Sequence, residues 1–405
     1  MIAKARPKIV ILNPFPVYPP ASGGQGRVFH LYKYVANSFD VVLICFSDRR
    51  AYKTLAPGLQ QLQIPKSYPH CRLEYEFFRK TGLATCAFLP KAAGLTPEYG
   101  HVVKEQCKDA GIVILSHPYL YKETQILGAD RIIVYDAHNV ESELHRQILP
   151  ADLSHLLADI EQAEKAACEQ SRLIATCSPE DAGKLASLYN ISPGKFIVVP
   201  NGADVAEIPF VSYEERQRHK LARNMTQPCA VYAGSKFPPN IQAAEQVTEI
   251  AKALPGVKFL LIGSLCEAFA GRNLPDNIAL LGVVSEQEKH RVFSIADVAL
   301  NPVQSGSGTN LKMLEYMAAG LPVITTPLGS RGIGGNDGTH FLVSECPAMA
   351  DCIGKLLNNP SLAAGLAHQA YTLIKSRFDW KLIAADFVDA LFAVLRQDPL
   401  HLGGR

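Results

Sequence analysis

The feature that most constrains this chain is a series of short β-branched runs, each stopped by Gly, Pro, Asn or Ser, with helix-like stretches between most of them. Lys8–Leu12, Val41–Phe46, Gly111–Leu115, Ile132–Tyr135, Leu173–Thr176 and Phe196–Val199 form a first set. Ala230–Ala233, Lys258–Ile262, Ile278–Leu281, Val298–Leu300, Val323–Thr325 and Phe341–Val343 form a second. Apolar strands without clean alternation are buried on both faces, and parallel neighbours need crossovers. The expected class is therefore α/β with doubly wound sheets. About twelve strands are too many for one small sheet, and the polar stretch Glu207–Pro228 divides the series. Two Rossmann-like domains follow, an N-terminal one over 1–205 and a C-terminal one over 206–377. The dividing stretch, with Glu214-Glu215-Arg216-Gln217-Arg218, is expected to form an exposed helix and linker. Leu382, Ile383, Phe387, Leu391 and Val394 predict an amphipathic helix within 378–405.

Composition narrows the function. Forty Lys and Arg against 38 Asp and Glu leave a net charge of +2, so no global field holds a polyanion and no nucleic acid is expected as partner. An anion site has to be local. The ten cysteines show no C-x-x-C and no paired Cys/His spacing, which predicts neither a metal site nor disulfides and suits a reducing, cytoplasmic compartment. Ile9–Leu12 is too short for a signal sequence, and no apolar run is long enough to span a membrane.

Ligands of doubly wound folds bind beyond the carboxyl ends of the strands, so the residues after each strand carry the search. Ser22-Gly23-Gly24-Gln25-Gly26 follows the first strand and precedes a helical stretch expected over Arg27–Ala36. Glycine admits an anion to the backbone, although Phe29 stands where a dinucleotide fingerprint has its third glycine. Ser305-Gly306-Ser307-Gly308-Thr309-Asn310 follows Val298–Leu300 and opens a helix over Leu311–Ala319. The unpaired N–H groups of such a helix start favour an anion such as a diphosphate. Lys312 and Glu315 share one face of that helix, the lysine near enough to reinforce a phosphate site and the carboxylate able to accept from vicinal hydroxyls. An ordinary i,i+3 ion pair is the alternative.

Further strand ends offer His138, within Asp136-Ala-His-Asn-Val-Glu141, then Asn201-Gly202 and Gly234-Ser235-Lys236. His138 is the histidine best placed for chemistry; a plain loop residue is the alternative. There is no D-x-D, G-x-S-x-G, H-E-x-x-H or G-x-x-x-x-G-K-[ST], which argues against metal-chelating transferases, serine hydrolases, zincins and P-loop ATPases.

With these residues assembled, the sequence resembles the retaining family-4 glycosyltransferases of the GT-B fold. The most specific part is Gly306-Ser-Gly-Thr-Asn-Leu-Lys-Met-Leu-Glu315-Tyr-Met-Ala-Ala-Gly-Leu-Pro-Val-Ile-Thr-Thr326, similar to the donor segment G-S-G-T-x-x-K-x-L-E of one branch. Tyr232-Ala-Gly-Ser-Lys-Phe-Pro-Pro-Asn240 and Pro200-Asn-Gly-Ala-Asp204 support it. The resemblance implies two domains facing a central cleft, with the terminal helix crossing back to the N-terminal domain. It implies transfer of a sugar from a nucleotide-diphosphate donor to a hydroxyl with retention, without metal or cofactor. Gly23, Gly24, Lys236, Gly308, Thr309, Asn310 and Lys312 are then assigned to the diphosphate, and Glu315, Gly234, Gly282 and Val283 to the nucleoside. Asn201 and Gly202 would line the site, and His138 would face the transferred sugar or the acceptor. Ser307 stands where many relatives carry a first glutamate, and Lys236 and Lys312 replace the usual diphosphate-binding pair. A sugar-nucleotide epimerase and an inactive nucleotide-binding relative are the alternatives.

The N-terminal segment 1–122 carries 16 basic and 7 acidic residues, a net +9 balanced by −7 in the rest. Phe77-Phe78-Arg79-Lys80 through Phe88-Leu89-Pro90-Lys91 interleaves basic and apolar residues, a composition suited to a glycan or lipid-linked acceptor at an anionic membrane surface.

Overall fold

A computed structural model describes residues 6–83, 85–128, 131–150, 153–305 and 309–397 of the chain. It divides into two compact units, one holding the residues up to Pro20, Gly24–Pro200 and the chain from Ile383 onward, the other Ala21–Gly23 and Asn201–Leu382.

The first unit is built on an eight-stranded sheet of β1 (Lys8–Asn13), β2 (Asp40–Ser47), β3 (Ala51–Ala56), β4 (Leu59–Pro65), β5 (Ile112–Leu115), β6 (Ile132–Ala137), β7 (Leu173–Thr176) and β8 (Phe196–Val198), in the order β3-β4-β2-β1-β5-β6-β7-β8. All pairings are parallel except β3 with β4. Ile9 pairs with Val41 on one side and Ile112 on the other. Residues 9–12 are fully buried, as a strand covered on both faces requires.

The second unit repeats the plan with β9 (Cys229–Ala233), β10 (Lys258–Ile262), β11 (Ile278–Gly282), β12 (Val298–Asn301), β13 (Val323–Thr325) and β14 (Leu342–Val343), all parallel, in the order β11-β10-β9-β12-β13-β14. Alternate residues feed two separate cores. Tyr232, Leu261, Leu300 and Ile324 join one, while Val231, Leu260, Ala299 and Val323 join the other.

The terminal helix forms over Trp380–Arg396. From Ile383 onward it belongs to the first unit, where Phe387 meets Tyr32 edge-on at 6.3 Å and Phe392 stacks on Phe39 at 4.6 Å. This is the crossing-back expected of the GT-B fold.

Two expectations change. Helix Gly23–Val35 begins four residues before the expected Arg27, so the glycines form its first turn. The polar stretch after Glu207 holds helix Tyr213–Leu221, started by a Ser212–Glu215 capping box, but it is not simply exposed. Arg216 is 1% exposed. Its guanidinium donates to the carbonyls of Ala296 (2.8 Å), Val211 (3.1 Å) and Gly320 (2.8 Å), to that of Ala319, and to Phe293. Helix Glu286–Phe293 and helix Leu311–Ala318 thus end on one cation, which satisfies their orphan carbonyls and opposes the negative ends of both dipoles. Gly320 ends the second helix at φ +72°, where a Cβ would come 2.6 Å from Val211 O. Arg216→Ala leaves these carbonyls buried without donors. A loss of about 3 kcal/mol or more in unfolding free energy is expected by chemical denaturation.

Candidate functional site

Within the first unit, the carboxyl ends of β1, β5 and β6 bring together an ion pair and two imidazoles. Arg27, on the first turns of its helix, donates to Asp136 Oδ1 from Nη2 at 2.7 Å and from Nε at 3.2 Å, and to Val199 O at 2.9 Å. Tyr32 OH donates to Asp136 Oδ2 at 3.1 Å. Burial alone would raise the carboxyl, but the Arg27 guanidinium and His138 together outweigh it and hold Asp136 well below the usual carboxylate range. Two residues on, His138 is 6% exposed, with Nε2 3.6 Å from Asp136 Oδ2. Burial first, and the neighbouring His117 second, push His138 down to about 4, so its ring is neutral at pH 7.

His117, just beyond β5, faces His138 with ring centroids 4.4 Å apart. It has its own carboxylate: Nδ1 lies 3.6 Å from Glu141 Oε1. Glu141 also accepts from Tyr119 OH at 2.6 Å and stands 3.6 Å from His145 Nδ1. Burial opposes its ionisation, yet His117, His145 and Tyr119 bring it down to about 2. The ring nitrogens of both His117 and His138 are buried and make no hydrogen bond among the described residues. A Cβ placed on Gly24 would lie 3.7 Å from His138 Nδ1 and 4.0 Å from His117 Nε2. Gly24 and His138 therefore meet, and His117 joins them. His117 is not among the residues that the sequence pattern singles out; its place directly after a buried strand, as with His138, is the signal that marks it. Gly23 opens the helix.

Within the second unit, helix Leu311–Ala318 is preceded by Asn310 in an extended conformation, whose side chain makes no cap, while Met313 N–H donates to the Asn310 carbonyl at 3.1 Å. Thr309 is 7% exposed. Its carbonyl accepts from Asn201 Nδ2 at 3.3 Å, and its Oγ1 is buried without a hydrogen-bond partner among the described residues. Gly202 is buried beside Asn201. Gly308, together with Gly306 and Ser307, lies outside the described residues.

Lys312 Nζ donates to Asn240 Oδ1 at 2.6 Å and Tyr232 OH at 3.0 Å, and sits 4.5 Å from the Tyr232 ring centroid. Burial pushes this ammonium down to about 7, with Glu315 opposing. Glu315 is not paired with Lys312, as an i,i+3 reading of the helix would have it; it meets Lys289 Nζ at 3.1 and 3.2 Å. Lys236 is exposed and bound to Glu267 at 3.1 Å. Gly234 has both backbone groups engaged, its N–H on Ile262 O and its carbonyl on Leu265 N. A Cβ there would come within 2.9 Å of Leu265. Gly282 adopts φ +68°, and Val283 is 70% exposed. The structure thus groups Lys312 with Asn240 and Tyr232, Glu315 with Lys289, and Thr309 with Asn201, while Lys236 stands on a separate surface pair.

Two parallel Rossmann-like units with a helix returning to the first give the GT-B fold. Residues 231–359 match the family model "Glycosyl transferases group 1", so the second unit carries the family's domain. Glycogen synthase of Mycobacterium tuberculosis is 23% identical over 309 residues, 70% of this chain and 69% of that protein. Among solved structures, sucrose-phosphate synthase from Thermosynechococcus elongatus superposes with a TM-score of 0.74 at 15% identity, over 97% of this chain and 100% of that one. HepE from Anabaena, in complex with UDP and glucose, gives 0.72 at 14% identity, over 96% and 100%.

Removing one partner of the Arg27–Asp136 pair strands the other. Asp136→Asn is expected to cost about 3–5 kcal/mol, read from urea unfolding at neutral pH. Because the folded-state pKa of Asp136 is depressed, its share of stability is present above the ordinary value of 3.8 and lost only in stronger acid. The variant's deficit should accordingly shrink as pH falls below that value.

Proposed function

We propose that this glycosyltransferase is a retaining, metal-independent enzyme of the family-4 type, moving a sugar from a nucleoside-diphosphate donor held in its second unit to a hydroxyl of a glycan or lipid-linked acceptor. The observation that carries this reading is the uncapped helix start at Asn310 with Lys312 beside it, held by Tyr232 OH and Asn240 Oδ1 and not by a carboxylate. Departure of a nucleoside diphosphate develops negative charge. Fixed N–H dipoles and an ammonium placed where that charge grows lower the barrier without a metal ion. Thr309 and Asn310 N–H groups are assigned to the phosphates, together with Gly308 and Gly23, and Glu315 to the ribose hydroxyls. Gly282 and Val283 are assigned to the base. Gly234, whose backbone is committed to β10 and the turn after it, is likewise assigned to the nucleoside. His138 is assigned to the transferred sugar or the acceptor, as a neutral imidazole able to donate from one nitrogen and accept at the other. The departing phosphate takes the acceptor proton on the same face, so anomeric configuration is retained.

A panel of nucleoside diphosphates scored by thermal shift tests the donor site. One should raise the melting temperature, and Glu315→Ala should weaken it by about tenfold. Donor turnover should persist in EDTA and release the sugar with its original anomeric configuration by NMR. Lys312 adds a pH signature. Its free value is about 7, and a bound diphosphate raises it, so binding above pH 7 takes up a proton. Affinity should fall by up to about tenfold per pH unit above 7, and Lys312→Met should flatten that slope.

The acceptor side favours an anionic membrane surface. Helix Tyr68–Thr81 leaves Tyr68, Tyr75 and Phe78 exposed at 81%, 63% and 51%, alongside exposed Arg72, Arg79 and Lys80. Phe88 and Leu89, read from sequence as part of the same surface, pack in the core. No helix among the described residues is long and apolar enough to cross a membrane, so the contact proposed is peripheral. Flotation with acidic vesicles at low salt should recover the protein, and Tyr75→Ser/Phe78→Ser should release it. Equal binding to neutral vesicles would oppose this reading.

A further inference from the structure

Lys312 is held by a side chain from a different helix. Asn240 stands in the first turn of helix Pro238–Ala253, after the Gly234-Ser235-Lys236 turn that leaves β9. Its Nδ2 donates to Ser235 O at 3.1 Å and to Ser235 Oγ at 3.2 Å, and its Oδ1 accepts from Lys312 Nζ at 2.6 Å. A main-chain carbonyl only accepts, so the amide nitrogen has to face Ser235 and the amide oxygen is left to face the lysine. An ionised aspartate could not make the first bond, and an apolar residue could make neither. Packing holds the amide as well: a Cβ on Gly234 would lie 3.1 Å from Asn240 Cγ, so the missing side chain is what gives the amide its room.

The Tyr232 hydroxyl completes the mounting. It donates to Asn240 O at 3.2 Å and accepts from Lys312 Nζ at 3.0 Å. An ammonium carries three protons, and these two acceptors take two of them. Among the described residues nothing takes the third, and both acceptors are neutral. We propose that Asn240 is a positioning residue, anchored on Ser235, that holds Lys312 to give its remaining proton to a single phosphate oxygen of the donor. The inference rests on the assignment of Lys312 to the diphosphate. Burial brings the lysine down to about 7, and Glu315 on its own helix, itself bound to Lys289, opposes that. Lys236, beyond Ser235, is paired at the surface with Glu267.

The test is a double-mutant cycle on the full chain, read by calorimetry as affinity for uridine, guanosine, adenosine and cytidine diphosphates below pH 7, where the ammonium is charged. For the diphosphate that binds, Asn240→Leu should cost about tenfold in wild type. With Lys312 already changed to Met it should cost less than about twofold, because the amide then has no ammonium to hold. A merely structural role would cost the same in both backgrounds. Asn240→Asp gives a second readout. Its carboxylate compensates the lysine before any ligand arrives, so affinity below pH 7 should drop about tenfold and the fall in affinity above pH 7 should flatten. Circular dichroism checks the fold, and Asn240→Ala takes the place of Asn240→Leu in the cycle if the latter does not fold. Equal losses in the two backgrounds, or a wild-type pH slope in Asn240→Asp, overturn the role of Asn240 and leave the donor site standing. If Lys312→Met binds the diphosphate as tightly as wild type, or no diphosphate binds wild type, the assignment of Lys312 itself fails and this inference with it.

Discussion

A guanidinium sealed inside a protein needs an acceptor for each of its donors, and in the first unit Arg27 finds them in Asp136 and the carbonyls of Val199 and Pro200. The pair does more than neutralise charge. Gly24 precedes Arg27 by three residues on a helix, and His138 follows Asp136 by two at the end of a strand, so each lies on the same side of its element as the ionic group. Locking Arg27 to Asp136 therefore sets Gly24 against His138. That arrangement depends on the parallel sheet, because parallel pairing places the ends of β1, β5 and β6 at one edge.

The two units prepare their polar groups in opposite ways. In the first, each imidazole is backed by a buried carboxylate, Asp136 for His138 and Glu141 for His117. Asp136 is held ionised by Arg27 together with His138, and Glu141 by His117, His145 and Tyr119. Behind Glu141, Glu164 accepts from the backbone N–H groups of Glu141 and Ser142 and from Tyr189 OH, and burial drives it up to about 7. The start of helix Glu141–Ile148 is thus capped from a different helix. Acidity is layered behind the histidines, and the ring that faces Gly24 stays neutral.

The architecture was legible because buried parallel strands are short apolar runs, and all twelve expected strands form. The hairpin of β3 and β4 escaped for the opposite reason. β3 is an exposed edge strand, and β4 buries Gln61 and Gln63, so neither reads as apolar; Gln61 is placed by accepting from Val17 N–H at 2.8 Å. Arg216 read as one charge among five on a solvated helix, since a run of polar residues carries no sign of the carbonyls that converge on one of them. The donor segment after β12 could be read from glycines and a helix start, which are local. Lys289 and His117 could not be chosen the same way, because their partners Glu315 and Glu141 lie on other elements and only tertiary packing joins them.

The same distinction decides which lysine suits a phosphate. Lys236 follows β9 and has the more suggestive position in sequence, yet it is exposed and spends its charge on Glu267. In bulk solvent such a pair is worth little, and a lysine there is one screened charge among many. Lys289 is saturated by two carboxylates. Lys312 alone of the three is held by neutral acceptors, the Tyr232 hydroxyl and the Asn240 amide oxygen, in surroundings that disfavour its charge enough to bring it down to about 7. An ammonium in that state gains most from an arriving anion, because the anion supplies the compensation the protein withholds. The energetic cost of burying Lys312 without a carboxylate is thus recovered when a diphosphate binds, and this asymmetry, more than its position on the helix, favours Lys312 over Lys236 as the phosphate-binding cation.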